Sequence, residues 1–318
     1  MSLLSIENLS VTLSLPTHRV FAVDGISFAL DAGEFLAVVG ESGSGKTQAM
    51  LGMLGLTTDY THCAGHAYFE QADLLAAPPA VLNRVRGNDI AMIFQDPMSS
   101  LNPYLKISTQ LMESIRYHQR RDRRSARHLA IEMLERVQIP DAGRRIDHYP
   151  HQFSGGMRQR IMIAMALLRR PKILIADEPT TSLDVTVQAE ILTLLKSIRD
   201  EMSLSIILIT HDLGIVAGTC DRVIVMYAGR IVEQASVDEL FYQAKHPYTQ
   251  GLIKAAQSVT GDVDELYSIQ GNPPLNQQRH RGCAFYPRCE QRLATCEQQI
   301  PPVRLQQQHQ VACHLYDD

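Results

Sequence analysis

The chain contains no tryptophan, and its aromatic residues make up only 6% of 318 positions. That scarcity excludes nothing by itself, but three other absences do. Positive charge is not in excess: 30 Lys and Arg stand against 34 Asp and Glu, for a formal net charge of −4 and a pI near 6.3. A nucleic-acid partner, which normally calls for a basic excess, is therefore not expected. No stretch approaches the ~18 consecutive apolar residues of a membrane span. The most apolar run, IMIAMALL at 161–168, is too short and has arginines on both sides. The start, MSLLSIENLS, shows no basic segment followed by an apolar run, so no secretion signal is expected. The compartment is then expected to be reducing, and the six cysteines are not expected to pair as disulfides.

What is present is ordinary globular composition, 45% hydrophobic and 20% charged. The length suits one large domain with an appendage, or two domains. Short apolar runs alternate with helical patterns up to about residue 250. FLAVV (35–39), IAMIF (90–94), KILIA (172–176), SIILI (205–209) and RVIVMY (222–227) read as buried parallel strands. Val185 to Met202 reads as an amphipathic helix, with Val187, Ile191, Leu194, Leu195, Ile198 and Met202 at spacings of three and four. This alternation predicts an α/β fold with a mostly parallel sheet. Residues 99–171 break it: they hold no convincing strand, and helical patterns near 107–118, 125–138 and 157–170 suggest a helical insert. After about residue 250 the chain reads as a loop-rich tail, and no internal repeat is found.

Gly40-Glu41-Ser42-Gly43-Ser44-Gly45-Lys46-Thr47 fits the phosphate-binding loop G-x-x-x-x-G-K-[ST] in full. Glycines permit the tight turn and let backbone N–H groups face phosphates. Lys46 brings a point charge to the β- and γ-phosphates, and Thr47 offers a hydroxyl to Mg²⁺. An apolar strand enters the loop and a helical stretch with Gln48 in its first turn leaves it, so the positive end of a helix faces the anion. Nucleotide binding follows.

Asp177 and Glu178 end the strand KILIADEP. Beside a phosphate-binding loop, a carboxylate at a neighbouring strand end holds the Mg²⁺, which suits Asp177; Glu178, one residue on, suits polarising the attacking water. Neighbouring side chains at a strand end point apart, so the two can serve two roles. His211 lies just past SIILI, at the carboxyl edge where open α/β sheets bind ligands, and is assigned to the γ-phosphate. Gln95 closes IAMIF at the same edge, where its neutral oxygen could reach Mg²⁺ or the water. A second glycine turn, FSGGMRQR at 153–160, precedes a helical stretch and is followed by basic residues, like a second phosphate site.

GESGSGKT, FQDP, SGGMRQR, ILIADEP, SLD and THD, in that order, resemble the ATP-binding subunits of ABC transporters over residues 1 to about 250. FSGGMRQRIMIAMAL, FQDPMSSLNP, HPYTQGL (246–252) and the tail GNPP…GCAFYPRC…C…C are similar to the subfamily that serves oligopeptide and dipeptide importers. The resemblance implies a P-loop NTPase (RecA-like) core over 1–250 with an ABC-type helical subdomain at about 99–171. It implies a small, loop-rich, cysteine-containing extension over 251–318. It implies ATP and Mg²⁺ as ligands and head-to-tail pairing, in which Ser154, Gly155 and Gly156 grip the ATP of a second ATPase subunit, identical or related. Asp184, in SLD, matches the loop that senses the opposite site. Ser182 stands where the family usually has Ala. The aromatic that often stacks on adenine is not clear: Leu13 is the best match and Phe21 is nearby. Residues 96–118 are implied to dock onto two transmembrane permease subunits fed by an extracytoplasmic substrate-binding protein. The chain would then sit peripherally on the cytoplasmic face of the inner membrane and power peptide uptake, or that of a related cargo such as nickel, haem or glutathione; the other alternative is a soluble ABC ATPase that serves no transporter.

Cys283, Cys289, Cys296 and Cys313 follow the spacing C-x5-C-x6-C-x16-C. Structural zinc prefers pairs two to four residues apart. Wider gaps suit an object that loops can wrap, such as a [4Fe–4S] cluster on four thiolates, with zinc as the alternative. The peptide-importer resemblance points the same way. Cys63 and Cys220 read as core residues.

Overall fold

The computed structural model describes residues 2–95, 100–119, 122–181, 183–260, 267–274, 279–306 and 308–317. Residues 96–99 and the side chains of 116–118 in the expected docking stretch, and Ser182, lie outside the described residues. In chain order the elements are β1 (Ser2–Ser14), β2 (Arg19–Asp31), β3 (Phe35–Val39), α1 (Lys46–Met53), β4 (Thr61–Phe69), β5 (Ala72–Asp73), α2 (Pro79–Val85) and β6 (Ile90–Ile93). Next come α3 (Ile107–Gln119), α4 (Arg123–Arg136), α5 (Ala142–Arg145), α6 (Gly155–Leu167), β7 (Ile173–Asp177), α7 (Val185–Met202) and β8 (Ser205–Thr210). The last are β9 (Arg222–Tyr227), β10 (Arg230–Ser236), α8 (Val237–Gln243), α9 (Pro247–Thr260), α10 (Thr295–Gln298), β11 (Val303–Gln306) and β12 (His309–Ala312). They fall into two compact units, one formed by Met1–Leu82 with Leu208–Asp318 and one by Asn83–Ile207.

The first unit carries an antiparallel sheet in the order β2-β1-β4-β5. The strand β1 buries Leu4 and Ile6, then Leu9 and Val11. That one-residue slip in the alternation is taken up where Asn8 adopts φ 51 and the pairing shifts register between Ile6 and Leu9. An extra residue of this kind keeps one face of the strand on the core. The same unit holds the run β11-β12-β10-β9-β3, in which β3 and β9 are parallel and the other pairs antiparallel. All five residues of β3 are at most 1% exposed, as a strand covered on both faces requires.

In the second unit β6 and β7 pair in parallel. The helices bury periodic faces: Ile107, Leu111 and Ile115 in α3, Ala126, Ala130, Met133 and Leu134 in α4, and Ile191, Leu194, Leu195 and Ile198 in α7. Asp122 and Asp184 cap α4 and α7, each accepting main-chain N–H groups of the first turn. Residues 99–171 hold no strand among the described residues.

The expected strands and helices lie within three residues of the observed ones at every end. Of the expected strands, β3 pairs with β9 and β6 with β7 in parallel; β1, β2, β4 and β10 add antiparallel pairing that the apolar runs did not signal. Strands with one wet face alternate polar and apolar, and a search for continuous runs passes over them. Nor is the tail only loops, since β11 and β12 extend the pairing from β10.

The join between the tail and the core is polar and buried. Glu233, fully buried on β10, accepts from the main chain of Lys245 at 2.6 Å and of His246 at 3.0 Å, and lies 2.6 Å from His309 Nε2 on β12. The His246 ring is itself buried; its Nδ1 accepts from Tyr248 N at 3.1 Å, which marks it as neutral. Burial pushes the His246 pKa down to about 4, against the opposing pull of the Glu233 carboxylate. Between the ordinary value of 6.5 and about 4, the unfolded chain binds a proton that the folded chain refuses. The stability this group contributes is present above the upper value and declines as pH falls toward the lower one. Chemical unfolding followed from pH 7 to pH 4 should show this group removing about 3 kcal/mol, and His246→Gln should flatten that part of the profile.

Candidate functional site

The phosphate-binding loop lies between β3 and α1, and its shape is set by the contacts of two glycines. Gly40 has φ 153, and a Cβ there would sit 2.2 Å from the Met226 carbonyl oxygen. Gly45 has φ 99, and its Cβ would sit 2.1 Å from the Ala22 carbonyl oxygen. Gly45 is also the N-cap of α1, so no side chain fills the helix's first N–H groups. The positive end of the helix dipole therefore faces the loop, as an anion site requires. Lys46 is 5% exposed and its Nζ donates to the carbonyls of Gly40 at 2.7 Å and Glu41 at 3.0 Å, so the charge sits inside the loop. The Ser44 hydroxyl is buried with no hydrogen-bond partner among the described residues. A buried orphan polar atom beside an uncapped helix end fits a loop built around a phosphate ester. Ser42 and Gly43 are exposed, while Thr47 and Gln48 are half-buried in the first turn of α1. His211 follows β8 directly and is exposed.

In the second unit β7 ends on Asp177, 3% exposed. Glu178 follows with φ 46, an unfavourable backbone for a residue with a side chain. Its Oε2 accepts from Gln95 Nε2 at 2.9 Å and from Thr181 Oγ1 at 2.8 Å. The pairing of Glu178 with Gln95 brings together two residues that the sequence separates by 83 positions, and it points the amide oxygen of Gln95 away from the carboxylate. Thr181 was not singled out from the sequence; only the turn after β7 reveals it.

Ser154 caps α6, its Oγ accepting from Met157 N at 3.3 Å, which leaves the hydroxyl proton to donate elsewhere. Ser154 and Gly155 are exposed. Gly156 has a different reason to be glycine: a Cβ there would lie 2.5 Å from Val187 Cγ1 on α7. The basic residues that follow do not extend this turn toward an anion. Arg158 Nε binds the carbonyls of Pro150 and Phe153. Arg160, 8% exposed, binds the Val137 carbonyl, Gln138 and Glu190. Both arginines anchor the helical unit, and the candidate anion contacts reduce to Ser154 and the N–H groups behind it. Asp184 spends one carboxylate oxygen on capping α7.

Neither candidate for base stacking is an open aromatic face. Leu13 is paired within β1, and the ring of Phe21 lies 5.3 Å from the Arg279 guanidinium.

The structure gathers the four tail cysteines. Cys283 N donates to the Cys296 carbonyl at 2.7 Å, and Gly282 admits that approach, its Cβ falling 2.3 Å from the same oxygen. Burial raises the Cys283, Cys289 and Cys313 thiols, Cys313 to about 11. The charge of neighbouring cysteines raises them further, and Cys313 feels all three others. All four are free thiols. Among the described residues no group of three or more His, Cys, Asp or Glu side chains is placed to hold a single metal ion. Outside the tail, Cys220 is buried and Cys63 half-buried.

Residues 23–181 match the family described as ABC transporter, and residues 232–296 match the C-terminal region of oligopeptide/dipeptide transporters. The chain is 50% identical over 300 residues to the oligopeptide transport ATP-binding protein OppD of Haemophilus influenzae, covering 94% of this chain and 92% of that one. It is 46% identical over 317 residues to the dipeptide transport ATP-binding protein DppD of Bacillus subtilis, covering 99% and 95%. Among solved structures, the ATP-binding cassette MJ0796, as a post-hydrolysis dimer bound to ADP and Pi, aligns with a TM-score of 0.66 at 26% identity, over 74% of this chain and 98% of that one.

The glycine contacts make a sharp test. Gly45→Ala should abolish nucleotide binding measured by calorimetry while the circular dichroism spectrum keeps its native form. Retained binding would show that the loop can open around a methyl group and that its tight form is not required.

Proposed function

The chain belongs to the ATP-binding subunits of ABC transporters, in the oligopeptide/dipeptide branch, and on that premise we propose how its residues hydrolyse ATP to power peptide uptake. One observation carries the function: near-50% identity to peptide-importer ATPases runs through both the cassette and the cysteine tail.

The loop from Gly40 to Thr47, continued by Gln48, wraps the phosphates, and Lys46 neutralises the β- and γ-oxygens. Thr47, Asp177 and Gln95 would hold a magnesium ion, which would supply charge compensation on the same oxygens. Glu178 accepts a proton from water as its oxygen attacks the γ-phosphorus; the bond to the β–γ bridging oxygen breaks, and ADP and phosphate leave. Support comes from the carboxylate being held in place by Gln95 and Thr181 through Oε2. His211 donates to the γ-phosphate as charge builds. Ser154, Gly155 and Gly156 serve the nucleotide of a second ATPase subunit, a copy or a relative, and Asp184 reads the state of that opposite site. ATP then joins two subunits and hydrolysis releases them.

The permease pair fits the second unit. A cavity of about 500 Å³ there is lined by Met92, Phe94, Ser114, Met162 and Met165, with Phe94 45% exposed. Arg86 and Arg169 also line it. Among the described residues no helix is long and apolar enough to cross a membrane, so the attachment we propose is peripheral, through those permeases on the cytoplasmic side. An extracytoplasmic binding protein would choose the cargo.

For the tail we propose a [4Fe–4S] cluster on Cys283, Cys289, Cys296 and Cys313. Its support is four thiols within electrostatic reach of one another, at the wide spacing that a cluster tolerates. A cluster would supply the positive charge that turns these thiols into thiolates.

Two measurements decide these roles. Glu178→Gln should keep MgATP binding, lower phosphate release by a factor of roughly 10² or more, and accumulate an ATP-bound dimer on gel filtration. Unchanged turnover would remove Glu178 from the role of base. Anaerobically purified protein should contain iron and acid-labile sulfide in equal amounts, both lost in Cys289→Ser; zinc in their place would decide for the alternative.

A further inference from the structure

Glu41 is the second residue of the phosphate-binding loop, and it is gripped from a distance. Arg288 Nη1 lies 2.7 Å from Oε2 and Nη2 lies 2.9 Å from Oε1, the two-pronged geometry of a guanidinium on a carboxylate. Arg288 stands 247 residues further along the chain, in the extension. Its side chain is 5% exposed and its other donors are engaged: Nε on the Gln270 carbonyl, Nη2 on that of Ile269, and Nη1 on the Tyr227 hydroxyl. The guanidinium also lies 5.8 Å from the ring of Tyr227 and 5.9 Å from that of Phe285.

The main chain at the same position is held as well. Glu41 N donates to the hydroxyl of Tyr248 at 2.9 Å, and Tyr248 packs on Tyr227 with ring centroids 4.6 Å apart. On the other side of Glu41, Gly40 is pressed against the Met226 carbonyl. Residue 41 is thereby fixed at its amide, its side chain and its preceding residue. Surface ion pairs contribute little, but this one is mostly out of water, and removing one partner strands a charge. The same stretch of loop holds the Lys46 ammonium, which donates to the carbonyls of Gly40 and Glu41.

We propose that Arg288 is a positioning residue for the nucleotide: through Glu41 it sets the first half of the phosphate-binding loop, so the C-terminal extension tunes the affinity of the cassette for MgATP. This rests on the assignment of that loop to ATP. Arg288 closes a short 3-10 turn, Tyr286–Arg288, between Cys283 and Cys289. Whatever orders those thiols also orders the arginine, which gives the cysteine set a physical route to the loop.

The test uses the full chain and reads MgATP affinity by calorimetry, KM and kcat by phosphate release, and melting temperature. Arg288→Ala should weaken MgATP binding and raise KM on the order of tenfold while kcat stays within about twofold. Arg288→Lys should fall between, since it keeps the charge and loses the fork. Glu41→Gln combined with Arg288→Ala should be no worse than Arg288→Ala alone, the sign of one shared interaction. A lower melting temperature with unchanged affinity and KM would overturn the proposal and leave Arg288 a structural residue. If Arg288→Ala does not fold, Glu41→Gln decides: weakened affinity supports the route and wild-type affinity overturns it. Lys46→Ala separates the two levels. Binding lost there but intact in the Arg288 and Glu41 variants sinks only the positioning role, whereas binding intact in Lys46→Ala removes the ATP assignment beneath it.

Discussion

Two carbonyl oxygens shape the centre of this molecule. Those of Ala22 and Met226 come so close to Gly45 and Gly40 that no side chain could stand at either position. The loop between β3 and α1 is consequently wound tightly, with its chain in left-handed and extended glycine conformations. The α1 helix begins on a residue that cannot cap it, and a serine hydroxyl is buried without a partner. Each of these costs stability. On the function proposed above, an anion would supply what the loop lacks, while the strands behind the loop are packed too well to let it relax.

Placement of the carboxylates rests on different physics. Asp177 is buried at the end of β7, while Glu178 is forced to positive φ and turned to meet Gln95 and Thr181. One peptide unit separates a buried carboxylate from a half-exposed one, so one strand end offers two environments. Far along the chain, Glu233 shows how a fully buried carboxylate is kept: two main-chain donors and an imidazole surround it. That junction anchors the extension, so the cysteine tail is built onto the sheet of its unit instead of hanging from it.

Much of this was legible in the residues. FLAVV and SIILI announced buried strands because a strand covered on both faces has no polar positions, and Val185–Met202 announced its helix through spacing alone. The phosphate-binding loop was legible because backbone geometry allows few residue types there. The strands β1 and β2 were not, since an extra residue at Asn8 breaks their alternation and one face is wet. Arg158 and Arg160 looked like anion ligands beside a glycine turn, yet they point inward to carbonyls, a direction that depends on what packs around the helix.

The sequence by itself determined the family and offered the residue types for its chemistry: a lysine, a hydroxyl and paired acids beside one glycine-rich loop. Those are local properties, written in adjacent residues. Only the tertiary structure decided that Gln95 holds Glu178, that Gly156 is small to admit Val187, and that Arg288 grips Glu41. Each of these joins residues distant in the chain, and such contacts come from the packing of whole elements, which no short window of residues contains.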